Sequence, residues 1–304
     1  MILCAGEALI DMIPNADGAY VPHVGGAVLN TAVALGRLGV DVGLITGLSS
    51  DPFGTMIADH MSASHVATAY AVRSDRNTTL AFVHLDQGNA TYTFYDDATA
   101  TRAIQPIDIA SVPAGTNAMF FGGISLCNPP VADSLLDLAL SQSADRLVMA
   151  DPNIRPGFVS DHAGYRARLT KLIARADIVK LSDDDIAWMV PDGDLAAKAR
   201  AILDLGCKML LLTEGGDGAT AHLANGAQVR VAAEKAQVVD TVGAGDTFNA
   251  GCLAALDRAG ALSPAAIQAL DKPTITDMLS LAARAAAVTV SRAGANPPWQ
   301  SELE

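Results

Sequence analysis

Short continuous runs of apolar residues alternate with longer amphipathic segments along most of the chain. The apolar runs have the length and composition of buried strands, and they lie at 42–46, 118–121, 146–150, 177–180 and 209–213. The amphipathic segments predict helices at 30–38, 131–143, 165–175 and 195–205. Because continuous apolar strands need cover on both faces, we expect an α/β fold: a doubly wound, mainly parallel sheet with helices on both faces.

One region breaks this alternation. Residues 78–95 have strand composition on both sides of the polar stretch that begins at Asp86, and no helix separates the two arms, which predicts a β-hairpin. With the segment 13–24, this hairpin predicts a small antiparallel β lid, formed by about 13–24 and 78–97. A second hairpin is expected around Asn225-Gly226, and helices at 246–260 and 275–290. With no repeat or low-complexity linker, we expect 1–304 to form a single domain.

Composition excludes several classes of function. The 304 residues carry 33 acidic and 20 basic side chains and a formal charge of −13, without a run of Lys or Arg, so neither nucleic acid nor an anionic membrane surface is an expected partner. The apolar run 281–290 is too short to span a membrane, and the N-terminus lacks the basic region of a signal peptide. We therefore expect a cytoplasmic protein. Its four widely spaced cysteines predict buried reduced thiols rather than a zinc site.

The chemistry is predicted by a glycine-rich turn between the apolar stretch 237–239 and a helix. Gly243 and Gly245 allow a tight turn with exposed N–H groups, and the helix that follows adds its partial positive charge, a combination that stabilises a phosphoryl group. Asp246, in the first helical turn, is placed to accept a proton from a hydroxyl. It could instead merely complement the helix dipole. A Walker A loop is excluded because the chain has no Gly-Lys pair, and a dinucleotide fingerprint because position 248 is Phe.

A second group of polar residues lies near the N-terminus. Gly25 and Gly26 permit close backbone approach, and Asp11 and Asn30 supply the acceptors and donors that a sugar requires. Taken alone, the same residues also suit a loop with a glycine pair and a helix-capping asparagine.

Together these two regions resemble the two signatures of the ribokinase-like (PfkB) carbohydrate kinases, in the expected order and with similarity across nearly the whole chain. The resemblance implies an ATP-dependent sugar kinase. It implies that Asp246 is the catalytic base, that the backbone from Val242 through Gly243 and Ala244 to Gly245 forms the anion hole, and that Asp11, Gly25, Gly26 and Asn30 hold the sugar.

The resemblance also implies a nucleotide site and two cations. The stretch from Thr213 through Gly215 to Gly218 is similar to the family's nucleotide loop, and Asp240 to the residue that helps to hold a monovalent cation such as K⁺. The family's Asn-x-x-Glu motif, which organises Mg²⁺ and phosphates, is replaced after Lys180 by Ser182 and Asp185. One carboxylate is retained, so we expect Mg²⁺ to bind through water at Asp185, with Lys180 and Ser182 beside the ATP.

The sugar is predicted from the segments around the site. The stretch containing Arg155 resembles those of bacterial fructokinases and of 2-keto-3-deoxygluconate kinases, and 291–299 is similar to fructokinases. Phe94 and Tyr95 are candidates to close over the sugar, and Asp96-Asp97 stands where the sugar-acid kinases usually have an arginine. Because two carboxylates repel a sugar acid, fructose is the expected substrate; 2-keto-3-deoxygluconate, ribose and nucleosides remain alternatives.

Two other classes of function remain open. A non-catalytic sugar-binding regulator would not require Asp246, and for an NAD-dependent oxidoreductase this sequence lacks the glycine fingerprint.

Lid edge strands also suit pairing between chains, so the resemblance implies a homodimer through the lid.

Overall fold

A nine-stranded sheet forms the centre of the molecule in a computed structural model, which describes residues 1–86 and 89–304. The strands are β1 (Ile2–Ala5), β2 (Leu9–Pro14), β3 (Tyr20–Gly25), β4 (Val42–Ile45), β5 (Gly47–Ser49), β6 (Val66–Ala67), β7 (Val72–Ser74), β8 (Leu80–Asp86), β9 (Asn89–Tyr95), β10 (Ala118–Gly122), β11 (Leu147–Asp151), β12 (Ile178–Ser182), β13 (Met209–Thr213), β14 (Ala219–Leu223) and β15 (Gln228–Val231). Their order in the large sheet is β15-β14-β13-β12-β11-β10-β1-β4-β6.

The sheet is parallel from β13 to β6, and β14 and β15 continue it as an antiparallel edge. The helices are α1 (Ala27–Arg37), α2 (Pro52–Ala63), α3 (Val131–Leu140), α4 (His162–Arg175), α5 (Asp183–Met189), α6 (Leu195–Leu203), α7 (Ala244–Arg258), α8 (Pro264–Ala269) and α9 (Lys272–Val290). Side chains of α1, α2, α7, α8 and α9 form one core with one face of the sheet, and those of α3 to α6 form a second core with the other. The predicted α/β class is confirmed.

The predicted elements agree with the structure to within a few residues. All five apolar runs are strands, and each predicted helix is present, with its start or end shifted by a few positions. The hairpin at Asn225-Gly226 joins β14 to β15. All four cysteines are buried and unpaired, as predicted. The sequence analysis did not predict α2, α8 or the short β5–β7 pair.

A separate four-stranded sheet, here called the small sheet, has the order β3-β2-β8-β9. It corresponds to the predicted lid. Each of its two hairpins is antiparallel, and a parallel pairing of β2 with β8 joins them. The turn of the second hairpin, at 87–88, lies outside the described residues.

The register of the small sheet separates its side chains into two faces. Asp11 is opposite Ala81, which is opposite Phe94, so these residues share the inner face, toward the large sheet. Phe82 and Tyr95 belong to the outer face. The small sheet therefore places a carboxylate and an aromatic ring together on its inner face.

Candidate active site

A cavity of about 720 Å³ lies between the small sheet and the carboxyl ends of the central strands. Most of the residues that the sequence indicated for a site line it: Asp11, Gly26, Asn30, Phe94, Arg155, Lys180, Ser182, Asp185, Thr213, Gly215, Gly243, Gly245 and Asp246. Four others are not among its lining residues: Gly25, Ala244, Gly218 and Asp240. Segments far apart in the chain thus meet around one space.

The glycine-rich turn leads into α7 as the sequence predicts. Gly243 caps the helix in the left-handed conformation, with φ 78° and ψ 0°, which glycine adopts without strain. A Cβ at this position would lie 2.7 Å from the Cβ of Ala295, so close packing also requires glycine. The first N–H groups of a helix have no partner within the helix. Gly245 and Asp246 in this turn line the cavity, so their N–H groups are placed to bind an anion, whereas the N–H of Ala244 donates a hydrogen bond of 3.3 Å to the carbonyl of Thr241.

Asp246 lies in the first turn of α7 and is 6 % exposed. Its Oδ2 accepts a hydrogen bond of 2.9 Å from Nδ2 of Asn30 on α1. Burial raises the pKa of Asp246 to about 7, although the bond from Asn30 acts to lower it. A carboxylate with such a pKa is a better proton acceptor than an ordinary one and still ionises near neutral pH.

Asp11, on the inner face of the small sheet, also lines the cavity, and burial raises its pKa to about 6. A Cβ on Gly25, in the neighbouring strand, would lie only 2.0 Å from the Oδ2 of Asp11. Gly25 is therefore needed to make room for this carboxylate. Gly26 has a φ of 109°, which only glycine adopts readily, and it marks the entry into α1.

Glu7 is a cavity residue that the sequence analysis missed. It is 2 % exposed, and its Oε1 accepts a hydrogen bond from the N–H of Ala27 at 3.1 Å. Its Oε2 accepts bonds from the N–H and the hydroxyl of Ser125, at 3.2 and 2.8 Å. Burial raises its pKa. Glu7 joins the start of α1 to the segment after β10. The only signal in the sequence was a single acidic residue between two apolar strands.

Ser182 and Asp185 form a capping box at the start of α5. The Ser182 hydroxyl accepts a hydrogen bond of 3.1 Å from the N–H of Asp185, and Oδ2 of Asp185 accepts one of 3.0 Å from the N–H of Ser182. Its Oδ1 accepts a further bond of 2.8 Å from the N–H of Ile154. Because both oxygens already bind backbone donors, Asp185 suits a contact to Mg²⁺ through water better than a direct one.

Asp240, the residue predicted at a monovalent cation, connects two loops. Its Oδ1 accepts a hydrogen bond of 3.0 Å from the N–H of Val242, and its Oδ2 one of 2.9 Å from the N–H of Gly294. Asp240 thus holds the glycine-rich turn against the C-terminal segment. Gly218 also has a local structural role, since a Cβ there would lie 2.2 Å from the carbonyl oxygen of Val231.

One aromatic residue proposed to close over the sugar does not face the cavity. Tyr95 lies on the outer face of the small sheet, 60 % exposed, because successive side chains of a strand point to opposite faces. Tyr92 takes that place instead: it lines the cavity beside Phe94, with the two rings stacked at 5.9 Å. The expectation for Tyr95 was therefore wrong.

Asp96 and Asp97 do not lie where the expected repulsion of a sugar acid would require them. Both residues line a second cavity on the other side of Phe94, not the one that contains Asp246. Asp96 is neutralised there by a salt bridge of 3.1 Å to Arg102, and it accepts a hydrogen bond of 3.0 Å from Thr79. These carboxylates therefore do not repel a sugar acid from the cavity of Asp246.

Within residues 1–86 and 89–304, no helix has both the length and the apolar character required to cross a membrane. The same residues contain no cluster of three or more His, Cys, Asp or Glu side chains arranged to hold a metal ion.

Comparison with known proteins gives a consistent result. The profile of the pfkB family carbohydrate kinases matches residues 1–302. The fructokinase of Rhizobium leguminosarum bv. trifolii is 40% identical over 279 residues, which cover 90% of this chain and 85% of that protein.

Two solved structures have the same fold. The fructokinase of Xylella fastidiosa with bound ATP superimposes with a TM-score of 0.91 at 29% identity, over 99% of this chain and 96% of the other. A double mutant of the Vibrio cholerae O395 fructokinase, with fructose, ADP and potassium ion bound, has a TM-score of 0.85 at 25% identity, over 97% and 93% of the two chains.

Proposed function

Since the chain belongs to the pfkB family of carbohydrate kinases, we propose that it transfers the γ-phosphoryl group of ATP to fructose, at the terminal primary hydroxyl. One observation carries the proposal: the buried carboxylate of Asp246 stands at the start of α7, beside the glycine-rich turn, in the same cavity as Asn30 and Asp11. A proton acceptor, a set of anion-binding N–H groups and a set of sugar-binding polar groups are thus adjacent.

In this proposal Asp246 accepts the proton of the attacking hydroxyl while that oxygen bonds to the γ-phosphorus of ATP; the bond from this phosphorus to the β,γ-bridging oxygen breaks, and ADP leaves. The N–H groups of Gly243 and Gly245, on either side of Ala244 in the glycine-rich turn, stabilise the charge on the migrating phosphoryl group. Asp11, Asn30 and the backbone at Gly26 orient the sugar, because together they offer acceptors and donors for its hydroxyls. Phe94 and Tyr92 on the small sheet cover it and exclude water.

ATP is proposed to bind where the cavity extends toward Thr213 and Gly215, with Lys180 and Ser182 nearer the phosphates. Mg²⁺, held by the phosphates and through water at Asp185, would neutralise phosphate charge when bound. A monovalent cation such as K⁺ is proposed at Asp240, behind the glycine-rich turn. The potassium ion in the Vibrio relative supports this proposal.

The choice of fructose rests on the relatives and not on Asp96 and Asp97. The fructokinase at 40% identity and the fructose-bound Vibrio structure favour it. Arg155 lines the cavity and is exposed, so a sugar acid has a nearby cation and remains the alternative.

The test is an ATP-dependent phosphorylation assay with fructose, 2-keto-3-deoxygluconate, ribose and adenosine. We expect the highest kcat/KM with fructose; a preference for 2-keto-3-deoxygluconate would reject the assignment of the sugar. The Asp246→Asn variant should have a kcat lower by about 10²- to 10⁴-fold, while it still binds fructose in a calorimetric titration. Wild-type protein that binds fructose but transfers no phosphate would instead identify a sugar-binding regulator.

We also propose a homodimer formed through the outer face of the small sheet, and a cytoplasmic location. Phe82 stacks edge-on with Tyr20 and Tyr95 on that face, at 4.9 and 5.3 Å, although both tyrosines are more than a third exposed. An exposed aromatic cluster of this kind favours a protein partner.

The proposed cytoplasmic location is supported by the supply of ATP and by four buried, reduced thiols, which suit a reducing compartment.

A further inference from the structure

A buried ion pair lies directly beneath the glycine-rich turn. Nζ of Lys180, in the middle of β12, is 3.2 Å from Oδ2 of Asp151, at the end of β11, and the two side chains are 6 % and 2 % exposed. A Cβ built on Gly245 would lie 3.1 Å from the same Nζ. The ammonium group therefore lies close to Gly245, in the glycine-rich turn, and both residues border the cavity.

Asn249 connects this ion pair to the helix that carries Asp246. Asn249 is completely buried, and its Nδ2 donates a hydrogen bond of 2.7 Å to the same Oδ2 of Asp151. Asn249 lies three residues after Asp246 on α7, which places both side chains on neighbouring positions of one helix face. Among the described residues the Oδ1 of Asn249 has no hydrogen-bond partner, so its amide contributes only the bond to Asp151.

More than one buried carboxylate attracts the ammonium group of Lys180. The pKa of Lys180 is raised: burial alone would lower it, but the carboxylates of Asp151, Asp185 and Asp246 together outweigh that effect. An ammonium group free to move would be drawn onto Asp246, and a salt bridge there would weaken the base. The contact with Asp151, fixed by Asn249, holds the ammonium group under Gly245 instead.

We propose that Asp151, held by Asn249, is a positioning residue that fixes the Lys180 ammonium group beneath the glycine-rich turn and keeps it from neutralising Asp246. The ammonium group then adds its charge to the N–H groups that face the phosphate, and Asp246 stays available for the proton of the sugar hydroxyl. The inference rests on the proposed role of Asp246 as the base. It assigns a task to two buried polar side chains, Asp151 and Asn249, that the proposed sugar and nucleotide contacts do not use.

The test is the pH dependence of kcat/KM for the sugar in the Asp151→Asn variant. The charged or titratable groups that share the surroundings of Asp246 are Glu7, Asp11, Asp151, Lys180 and Asp185, and the same cavity is also lined by Tyr92, Arg155, Asp183 and Asp184. Removing the charge of Asp151 removes one repulsion and lets Lys180 approach Asp246. We expect the acidic limb of the profile to move to lower pH by about one unit and kcat to fall about ten- to a hundredfold.

Asp177→Asn is the matched control. Asp177 is also a buried aspartate next to β12, but it lies at the amino-terminal end of that strand, where it pairs with Lys208 and Arg175. This variant should lose thermal stability and keep the wild-type pH profile and kcat. If Asp151→Asn behaves in the same way, with the limb unmoved, Asp151 is only a structural residue and the inference is wrong.

Asn249→Ala keeps both charges and removes only the amide that holds Asp151, so it also covers the case in which Asp151→Asn does not fold. We expect a shift in the same direction, smaller in size, together with a lower kcat. An unchanged limb in a folded Asn249→Ala protein would overturn the inference. A failure of the proposed role of Asp246 as the base can be distinguished from a failure of this inference. It would appear as a wild-type kcat in the Asp246→Asn variant, independently of the results for the Asp151 variant.

Discussion

Asn30 is the residue whose contact with Asp246 can be altered most simply. Its Nδ2 donates to the carboxylate, and a hydrogen bond to the charged form lowers the pKa of an acid. In an Asn30→Ala variant we therefore expect the acidic limb of kcat/KM to move to higher pH, opposite to the shift expected for Asp151→Asn. The KM for the sugar should also rise, because an amide that faces the cavity is lost.

Asn128→Ala provides the control for this measurement. Asn128 is 5 % exposed and donates a hydrogen bond of 2.9 Å to the carbonyl of Phe158, but it borders the second cavity and not that of Asp246. Its loss should leave the acidic limb where it is. If the acidic limb of kcat/KM is also unchanged in Asn30→Ala, the ionisation of Asp246 does not determine that limb.

At the residue scale, the sequence predicts best where a residue type and its local pattern agree. Asp246 and Gly243 are such cases, because a glycine-rich turn and a first-turn carboxylate are both local features. Glu7 and Asp151 were missed, since their partners Ser125 and Lys180 lie far away in the chain. The error for Tyr95 has another cause: neighbouring aromatic residues of a strand point to opposite faces, and the sequence alone did not determine which one faced the cavity.

The small sheet shows what could be predicted at the scale of elements. Its two hairpins follow from runs with strand composition that are close in sequence. The parallel pairing of β2 with β8 was not predicted, because it joins strands separated by α1, α2 and several short elements. This pairing brings Asp11 next to the strand that precedes Phe94, so the arrangement of the sugar side of the cavity depends on a contact that local patterns do not contain.

The outer face of the small sheet predicts the oligomeric state. If the aromatic cluster of Tyr20, Phe82 and Tyr95 forms a dimer contact, a Tyr95→Lys variant should be a monomer, because burying an unpaired ammonium group in an apolar interface is unfavourable. Light scattering coupled to gel filtration measures the mass directly. The wild-type protein should elute as a dimer at micromolar concentration.

Ile107→Lys is the control for this experiment. Ile107 is 91 % exposed and lies outside the small sheet, so the same kind of substitution should leave the dimer intact there. A monomeric wild-type protein, or a Tyr95→Lys protein that remains dimeric, would exclude this face as the contact.

At the scale of the whole molecule, the site follows from the topology of the large sheet. The strand order changes direction at β1, with β10 on one side and β4 on the other, and ligands of open α/β sheets bind at such a point, outside the carboxyl ends of the strands. Glu7 and Gly123, which follow β1 and β10, both line the cavity. The fold class therefore predicts where a site lies, while the glycine-rich turn predicts which chemistry occurs there.

The burial of acids in this site has a consequence for the stability of the whole protein. The pKa values of Asp11 and Asp246 are raised by burial from 3.8 to about 6 and about 7, so the folded state holds these protons more tightly than the unfolded state. The stabilisation is complete below the unfolded pKa and is lost as the pH rises through the folded values. Asp51 and Glu302 have lowered pKa values and act in the opposite direction, but only as the pH falls below their unfolded values near 4. Burial also lowers the pKa values of His60 and His222 below their unfolded value of 6.5, so these two groups add stability as the pH rises through that value.

The two histidines are common to the wild type and to Asp246→Asn, so between pH 5 and pH 8 we expect the melting temperature of the ligand-free wild type to fall relative to that of Asp246→Asn, which has no proton to lose at that position. Thermal unfolding followed by circular dichroism at several pH values gives both curves. Asp177→Asn serves again as the comparison, because it should lie below the wild type with an unchanged slope. Parallel curves for the wild type and Asp246→Asn would show that residue 246 is ionised normally in the folded state, and the explanation of its reactivity by burial would then be wrong.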